Sequence, residues 1–306
     1  MAGVPVDFTV EGELDAFDLG ADPSQAIAIL TAGCIPTEDA PQVWCEVRVE
    51  SEEAPELTGE SSFFHGGVRV RRTTHGWLMR DLRCWVEVDL REKKISAHIA
   101  PGRHHLAGFF RTTIFVAIVL QLRQFQRFHL HAGLVRRGEE TLLIVGPSGS
   151  GKSTTTLSLR RAGFEALADD AVFLSAEGAF PIARPFHITG KTSNAFPEIA
   201  RLGATDLGKF EANVARPSEV PQKPTGIVFL AGPQATTRIT EVDAADALGL
   251  LIESSALVIV DGASEVEEHL QLLATLVAGT PCVRLEAGPE WLVQATDEAL
   301  LQALAR

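Results

Sequence analysis

The sequence predicts an α/β fold in two parts: a β-rich N-terminal domain of α+β type over residues 1–127, and an α/β domain over residues 128–306. Three observations lead to this prediction. Apolar and polar residues alternate along several segments of the first half, as in half-buried strands. After residue 128, apolar segments alternate with segments of helical periodicity. A glycine-rich loop, Gly146–Ser153, connects one such apolar segment to the helical segment that follows.

In the N-terminal domain, apolar residues recur at every second position. Val43, Cys45 and Val47 share one face of such a segment, and charged residues occupy the other face. The same pattern predicts three strands, over residues 43–49, 84–90 and 95–99. A helix is predicted over residues 104–127, because apolar residues recur there at helical spacing. We expect this helix to pack on the core and to end the domain.

The second domain shows strands and helices in alternation, which indicates an α/β domain. Its predicted strands are Phe128–Arg136, Thr141–Val145, Ala171–Leu174, Gly226–Leu230, Leu257–Val260 and Cys282–Leu285. Its predicted helices are Lys152–Ala162, Asp243–Glu253, Glu265–Ala278 and Glu290–Leu304.

Composition excludes several classes of function. The chain has 306 residues, of which 45% are hydrophobic and 22% charged, as in a soluble globular protein. A net charge of −13 argues against a nucleic-acid partner, since phosphate neutralisation needs a basic surface. No apolar run approaches the roughly 20 residues of a membrane span, so no membrane partner is expected. The four cysteines lack CxxC spacing and no signal peptide is recognisable, which predicts free thiols in a cytoplasmic protein.

The loop between Leu142–Val145 and the next helix fits the pattern G-x-x-x-x-G-K-[ST]. Glycines let backbone N–H groups turn toward phosphate oxygens, and the helix that follows adds its positive N-terminal dipole. We expect Lys152 to neutralise the β- and γ-phosphates and the Ser153 hydroxyl to bind Mg²⁺. The loop therefore predicts a nucleoside triphosphate site, for ATP with Mg²⁺, although no base-reading motif decides between ATP and GTP. Its binding residues are Gly146, Pro147, Ser148, Gly149, Ser150, Gly151, Lys152, Ser153 and Thr154.

Two further landmarks accompany the loop. Asp169 and Asp170 follow a short apolar strand after the P-loop helix. One carboxylate of such a pair can hold Mg²⁺, directly or through water, and the other can accept a hydroxyl proton during phosphoryl transfer. His131 lies on the strand before the loop, so the strand ends are expected to bring it to the same phosphate cleft.

Together these residues resemble the HPr kinase/phosphorylase family, in which a histidine on a strand is followed by the P-loop and then by Ala-Asp-Asp. His131 lies 15 residues before Gly146, and Asp169 lies 23 residues after it, intervals similar to those of the family. The first half does not resemble the usual N-terminal domain of HPr kinases. The chain looks more like the homologues that accompany ribosomal peptides, such as the lasso-peptide kinases.

The resemblance implies a phosphoenolpyruvate-carboxykinase-like P-loop fold with a mixed sheet. It also implies catalytic roles for three residues. Asp169 would be the general base, Asp170 would bind Mg²⁺ and contact His131, and His131 would orient the carboxylates. Homo-oligomerisation is expected by the same analogy. The resemblance leaves the roles of Arg184, Lys191 and Lys209 undecided.

The sequence therefore predicts a kinase that transfers the γ-phosphoryl group of ATP to a hydroxyl, with a serine of a peptide or small protein as the acceptor. A ribosomal peptide precursor is one such partner. Two alternatives stay open. One is a small-molecule hydroxyl kinase on the same scaffold, and the other is a non-catalytic ATP-binding regulatory module.

Overall fold

The computed structural model shows an α/β protein that contains several mixed or antiparallel sheets. This α/β class agrees with the sequence prediction. The structure describes residues 1–12, 40–49, 63–65, 68–81, 84–99, 113–182, 184–201, 203–204, 209–216, 218, 220–255, 265–293 and 297–305.

A seven-stranded sheet forms from the first hundred residues. Its strands, in chain order β1 to β7, are Val6–Gly12, Val43–Val49, Phe63–His65, Val68–Arg72, Gly76–Asp81, Cys84–Asp89 and Lys94–Ile99. They lie side by side in the order β1-β2-β7-β6-β5-β4-β3. The pairs β1–β2 and β2–β7 are parallel and the other pairs are antiparallel. The three strands predicted in this region are confirmed to within a residue.

One face of this sheet packs against helix α1, Phe115–Arg123. Side chains of alternate residues, among them Val86 and Ile95, are fully buried in the shared core. Helix α1 is apolar on nearly all sides and is buried accordingly. It ends before residue 127, because Gln126 adopts a left-handed backbone with φ of 54°. The N-terminal part of the predicted helix, residues 104–112, lies outside the described residues.

A six-stranded mixed sheet forms the centre of the second half. Its strands are β9 (Ala132–Arg137), β10 (Glu140–Val145), β11 (Glu165–Ala168), β17 (Gly226–Pro233), β18 (Arg238–Glu241) and β19 (Cys282–Ala287), in the order β11-β9-β10-β17-β19-β18. The central neighbours β10, β17 and β19 run parallel. They are apolar because both faces of this part of the sheet are covered.

Two small antiparallel sheets complete the strands. One contains β8 (Phe128–Leu130), β12 (Val172–Ser175) and β13 (Gly178–Pro181), and the other contains β14 (Phe186–Ile188), β15 (Gly203–Ala204) and β16 (Phe210–Ala212). The prediction of one strand over 128–136 is wrong, since β8 and β9 belong to different sheets. The chain changes sheet at His131, whose backbone N–H donates to the carbonyl of Ser254 instead of to a strand.

The helices of the second half are α2 (Lys152–Arg161), α3 (Gly190–Ala195), α4 (Ala244–Ser254), α5 (Glu265–Gly279), α6 (Glu290–Val293) and α7 (Asp297–Leu304). Three of the four predicted helices are confirmed within two residues, as α2, α4 and α5. The fourth prediction, one helix over 290–304, is replaced by α6 and α7, and residues 294–296 lie outside the described residues. So does the predicted strand 257–260. Within the described ranges, no helix has the length and apolar character needed to cross a bilayer.

The core of the seven-stranded sheet includes residues from beyond position 128. Ala171, Phe173, Phe180 and Ile182 belong to the same buried cluster as the inner face of that sheet and α1. The Arg127 guanidinium adds a bond to the Ala2 carbonyl, at 3.0 Å, and lies over the Phe180 ring. Sheet β13-β12-β8 therefore packs directly on the N-terminal core.

Candidate functional site

A cavity of about 460 Å³ opens at one edge of the six-stranded sheet. It is lined by the P-loop residues Ser148–Thr155, by Asp169 and Asp170, and by His131. The remaining lining residues are His187–Thr189, Lys191, Thr192, Lys209, Pro233, Gln234, Ala287–Pro289 and Trp291. The site residues predicted from the sequence therefore line one cavity, apart from Gly146 and Pro147, which begin the loop.

Strand direction explains why these landmarks meet. Strand β9 runs antiparallel to β10, so its first residue, Ala132, pairs with Val145, the last residue of β10. His131 thus lies beside the start of the P-loop. Strand β11 runs antiparallel to β9 and hence in the same direction as β10, so Asp169 emerges at the same edge. Three segments distant in sequence therefore contribute to one cleft.

The P-loop backbone has the shape that phosphate binding requires. Gly149 and Gly151 have φ of 82° and 103°, values that residues with a side chain rarely adopt. Gly151 is the N-cap of α2, and it has no side chain that could cap the first amides of that helix. The N–H groups at such a helix start can donate to an anion.

Lys152 is buried, with 7% of its surface exposed, and its ammonium is held over the loop. The Nζ atom donates to the carbonyls of Gly146, at 2.7 Å, and Pro147, at 3.1 Å. Burial lowers the pKa of Lys152, while the nearby Asp169 and Asp170 oppose that shift. A phosphate oxygen would give this ammonium a charged partner, which is a stronger acceptor than a carbonyl.

Asp169 is the most deeply buried acid of the cleft, with 4% exposed. Its Oδ2 atom accepts a hydrogen bond of 3.0 Å from Ser153 Oγ. Burial, and then the neighbouring charge of Asp170, raise the pKa of Asp169 to about 7, although Ser153 and Lys152 favour its ionised form. Near neutral pH this carboxyl therefore exchanges a proton readily, as a general base must.

His131 adjoins the acid pair through the backbone. Its Nδ1 atom lies 2.9 Å from the carbonyl oxygen of Asp170. Because a carbonyl can only accept, Nδ1 carries the hydrogen and Nε2 keeps a lone pair. Burial, followed by the charge of Lys152, lowers the pKa of His131, so the ring is neutral at pH 7. The contact implied between His131 and Asp170 is thus made to the backbone carbonyl.

The oxygen atoms of the cleft suit a hard divalent cation. The Oδ1 atoms of Asp169 and Asp170 are both buried, and neither has a hydrogen-bond partner among the described residues. The Asp170 carboxylate and the Ser153 hydroxyl are oxygen donors of the kind Mg²⁺ prefers. The described part of the chain contains no cluster of three or more His, Cys, Asp or Glu side chains arranged for a metal. The residues therefore fit a Mg²⁺ ion that takes its other ligands from phosphate and water.

A second wall of the cavity carries positive charge and was only partly recognised from the sequence. The side chains of Lys191 and Lys209 line it together with His187. Burial is the main cause of the lowered pKa of both Lys152 and His131, and the nearby charge of Lys209 adds a smaller lowering to each. Arg184 lies elsewhere: its guanidinium stacks over the Phe115 ring of α1 at 3.9 Å.

Hydroxyl groups connect this cationic wall to the P-loop helix. Thr154 Oγ1 on α2 lies 3.0 Å from Thr192 Oγ1 on α3. Thr192 Oγ1 lies 3.0 Å from Thr189 Oγ1, and the Thr192 N–H donates to the same Thr189 oxygen at 3.2 Å. No sequence motif signals the contact between Thr154 and Thr192, since these residues are 38 positions apart.

Among the described residues that line the cavity, those of the third wall carry no charge, and we call it the uncharged wall. It consists of Pro233, Gln234, Ala287–Pro289 and Trp291. These residues follow the carboxyl ends of β17 and β19, which are the parallel neighbours of β10. Ligands of α/β proteins commonly bind at this edge of the sheet. The residues that follow the predicted parallel strands could therefore have been identified from the sequence as candidate site residues.

Comparison of the chain with models of known protein families gives no match, and comparison with curated proteins gives none either. The residues of this cavity therefore carry the evidence for function. They combine a loop of the pattern G-x-x-x-x-G-K-[ST] with a buried acid pair, within a cleft that has both charged and uncharged walls.

Proposed function

We propose that this protein is an ATP- and Mg²⁺-dependent kinase that transfers the γ-phosphoryl group to a hydroxyl, that of a serine in a peptide or small protein. One observation carries the proposal. Ser153, the residue that P-loops use for Mg²⁺, donates a hydrogen bond to Asp169, the candidate general base, at 3.0 Å. A residue that positions phosphate and a residue that takes a proton thus meet within one cavity.

Each part of the cleft has a role in this proposal. The loop amides and Lys152 bind the β- and γ-phosphates and stabilise the negative charge of the transferring group. Bound Mg²⁺ would neutralise phosphate charge, and Ser153 and Asp170 would hold it. His131, fixed by its bond to the Asp170 carbonyl, orients the acid pair. Phosphoryl transfer depends mainly on the positioning of the reacting groups and on the neutralisation of phosphate charge. The described residues of the cleft can contribute to both effects.

Asp169 would take the proton from the acceptor hydroxyl. The acceptor oxygen then bonds to the γ-phosphorus, the bond from that phosphorus to the ADP oxygen breaks, and ADP leaves. A raised pKa helps here because a base works best when its pKa lies near the ambient pH. The Asp169 carboxyl has a pKa of about 7, so it gains and loses a proton within the neutral range.

The proposal includes membership of the HPr-kinase-like group and its phosphoenolpyruvate-carboxykinase-like P-loop fold. Three features support it: the order of His131, P-loop and acid pair, the mixed sheet that carries them, and their presence in one cleft. The seven-stranded sheet would then be an accessory domain of this chain.

A small-molecule hydroxyl kinase is the second candidate, and the burial of Asp169 favours it. With 4% of its surface exposed, Asp169 is reached more easily by a small alcohol than by a folded protein. A serine on an extended peptide segment could also reach the buried Asp169 carboxyl, so an experiment has to distinguish the two acceptors.

The test uses γ-labelled ATP, Mg²⁺ and the purified protein, mixed with lysate from its own source and then separated by size. Label in a peptide or protein fraction, lost with both Lys152→Ala and Asp169→Asn, would establish a peptide or protein kinase. Label confined to small organic molecules would establish the second candidate. Label only in inorganic phosphate or unreacted ATP would contradict both kinase readings and leave an NTPase or a non-catalytic ATP-binding module.

A further inference from the structure

We propose that the acceptor of this kinase is an acidic peptide, in which an aspartate or glutamate close to the serine binds to Lys191 and Lys209. The inference rests on the proposed function and deepens it, because it names the class of substrate that the same cleft accepts. It follows from the cationic wall of the cavity, which consists of Lys191, Lys209 and His187.

The cationic wall begins next to the candidate general base. Burial has the largest effect on the pKa of Asp169, and the backbone of His187 is one of the smaller influences that favour the ionised form of Asp169. Both residues also line the same cavity. A serine hydroxyl that reaches the Asp169 carboxylate therefore lies beside His187.

Strand pairing sets the distance from this point to the positive charge. Ile188 of β14 pairs with Phe210 of β16, and the register of the two strands is regular. Thr189, the next residue, is extended, with φ of −74° and ψ of 162°, so it lies roughly 7 Å beyond His187. Lys209 directly precedes Phe210 in the chain and so lies beside Thr189. Since an extended peptide advances by roughly 3.3 Å per residue, an acceptor reaches this charge about two residues from its serine.

The distribution of charge in the cavity favours an acidic group at Lys191. Among the described residues that line the cavity, the acids are Asp169 and Asp170, and Asp169 accepts its hydrogen bond from the P-loop helix. Lys191 is exposed and forms no ion pair within the part of the chain that the structure describes. An acidic side chain of the acceptor would give this ammonium a charged partner, and the Lys209 charge nearby would add to the attraction.

The triphosphate has partners of its own in the proposed complex. The loop amides, Lys152 and Mg²⁺ would neutralise its charge. The acid pair and the triphosphate would together repel an acidic acceptor, so a cleft that accepts one needs positive charge on a different wall. Lys191 and Lys209 provide that charge, whereas a basic acceptor would be repelled by them.

The test phosphorylates a peptide library with the full chain, ATP and Mg²⁺. Each peptide has a single serine between randomised positions, and both of its ends are capped so that they carry no charge. The phosphorylated products are then sequenced. We expect Asp and Glu to be enriched, and Lys and Arg to be depleted, about two positions from the serine.

Variants separate binding of the acceptor from binding of the nucleotide. For a peptide with Asp at the selected position, Lys191→Gln and Lys209→Gln should each lower kcat/KM about tenfold, which is the effect of losing one charge-assisted hydrogen bond. The rate for the same peptide with Asn in place of Asp should not change, nor should ATP affinity measured by calorimetry. Lys191→Glu should prefer a peptide with Lys at that position. Lys223→Gln, at an exposed position that does not line the cavity, is the matched control and should behave as wild type.

Transfer to the library without a preference for acidic residues would overturn the inference and leave the proposed kinase standing. Equal losses for the Asp and Asn peptides, together with weaker ATP binding, would also overturn it, since the two lysines would then bind the nucleotide. Failure of the proposed function would look different: no peptide of the library, acidic or neutral, would be phosphorylated, and that result would refute both.

Discussion

At the scale of single residues, burial determines the chemistry of the cleft. Asp169 and Lys152 are both almost inaccessible, and each has a pKa shifted toward its neutral form by that burial. Opposite charges nearby reduce both shifts but do not cancel them. The Asp169 carboxyl, with a pKa of about 7, therefore exchanges a proton at neutral pH.

Replacement of Asp169 by Asn tests its role as base. Asp169→Asn keeps the shape of the side chain but removes the proton acceptor, so we expect the transfer rate to fall by about 10²–10⁴-fold. ATP affinity should change by less than about tenfold, because the loop amides and Lys152 are retained. Steady-state rates and calorimetric titration provide the two measurements. Asp246→Asn, on the exposed start of α4, is the control, and a full rate in Asp169→Asn would exclude the assigned role.

His269 predicts how stability depends on pH. It is fully buried on α5, stacks on Phe128, and has no hydrogen-bond partner on either nitrogen among the described residues. Burial, with a smaller effect of the Arg123 charge, lowers the pKa of His269 to about 3. Below its ordinary pKa of about 6.5 the unfolded chain takes up a proton that the folded state refuses, so stability falls as pH falls from about 6.5 toward 3.

The measurement compares urea unfolding of the wild type and His269→Phe at pH 7.5 and pH 5. Between these values the wild type should lose about 2 kcal/mol more than the variant, since each pKa unit corresponds to about 1.4 kcal/mol. Equal losses in the two proteins would show that His269 is protonated in the folded state.

At the scale of elements, close packing between β9 and α2 sets the geometry of the cleft. A Cβ atom on Gly133 would lie 2.9 Å from Thr156 Oγ1 and 3.4 Å from the Ala168 carbonyl. Glycine is required there because the helix after the P-loop and the strand before Asp169 both approach the β9 backbone. The same small residue thus keeps both halves of the site at contact distance.

Gly133→Ala should therefore disturb the fold and the site together. We expect a loss of about 1–3 kcal/mol in the free energy of unfolding, the usual cost of overpacking, and weaker nucleotide binding because α2 and Asp169 must shift. Urea denaturation and calorimetry measure the two effects. Gly249→Ala in α4 is the control: nothing lies within 4 Å of its added Cβ, and helix propensity should raise stability by up to about 1 kcal/mol. Wild-type stability in Gly133→Ala would contradict the packing argument.

At the scale of the whole molecule, the two predicted parts share a core. Phe173 and Phe180 lie after the predicted boundary at residue 127, yet they are buried against α1 and the seven-stranded sheet. Arg184 also stacks on Phe115 of α1. Sheet β13-β12-β8 is therefore packed against α1 and the N-terminal sheet through apolar side chains.

A fragment of residues 128–306 tests this dependence. Without α1 and its sheet, the faces of β12 and β13 would expose large apolar side chains, which promotes aggregation. We expect the fragment to bind a hydrophobic dye and to melt at a lower temperature than the full chain. A monomeric fragment that unfolds cooperatively at the temperature of the full chain would instead show that the division at 127/128 separates independent domains.

Much of the site follows from local sequence patterns. The G-x-x-x-x-G-K-[ST] loop, its flanking strand and helix, and most core strands depend on short-range periodicity and backbone preference, so they can be predicted without the fold. The order of His131, P-loop and acid pair could be predicted from spacing. That these residues lie in one cleft could also be predicted, because residues next to strand ends at the same edge of a sheet lie close together.

Only the tertiary structure decided the rest. His131 lies at a break between two sheets instead of within a strand, because Ser254 and Asp170, from distant segments, take its hydrogen bonds. The Thr154–Thr192 contact, the Lys209 charge and the uncharged wall likewise depend on which elements lie side by side. Such contacts produce no local pattern in the sequence, because they form between residues that only long-range packing brings together. The sequence thus determined the glycine-rich loop and the elements that flank it, and the fold determined which side chains surround that loop.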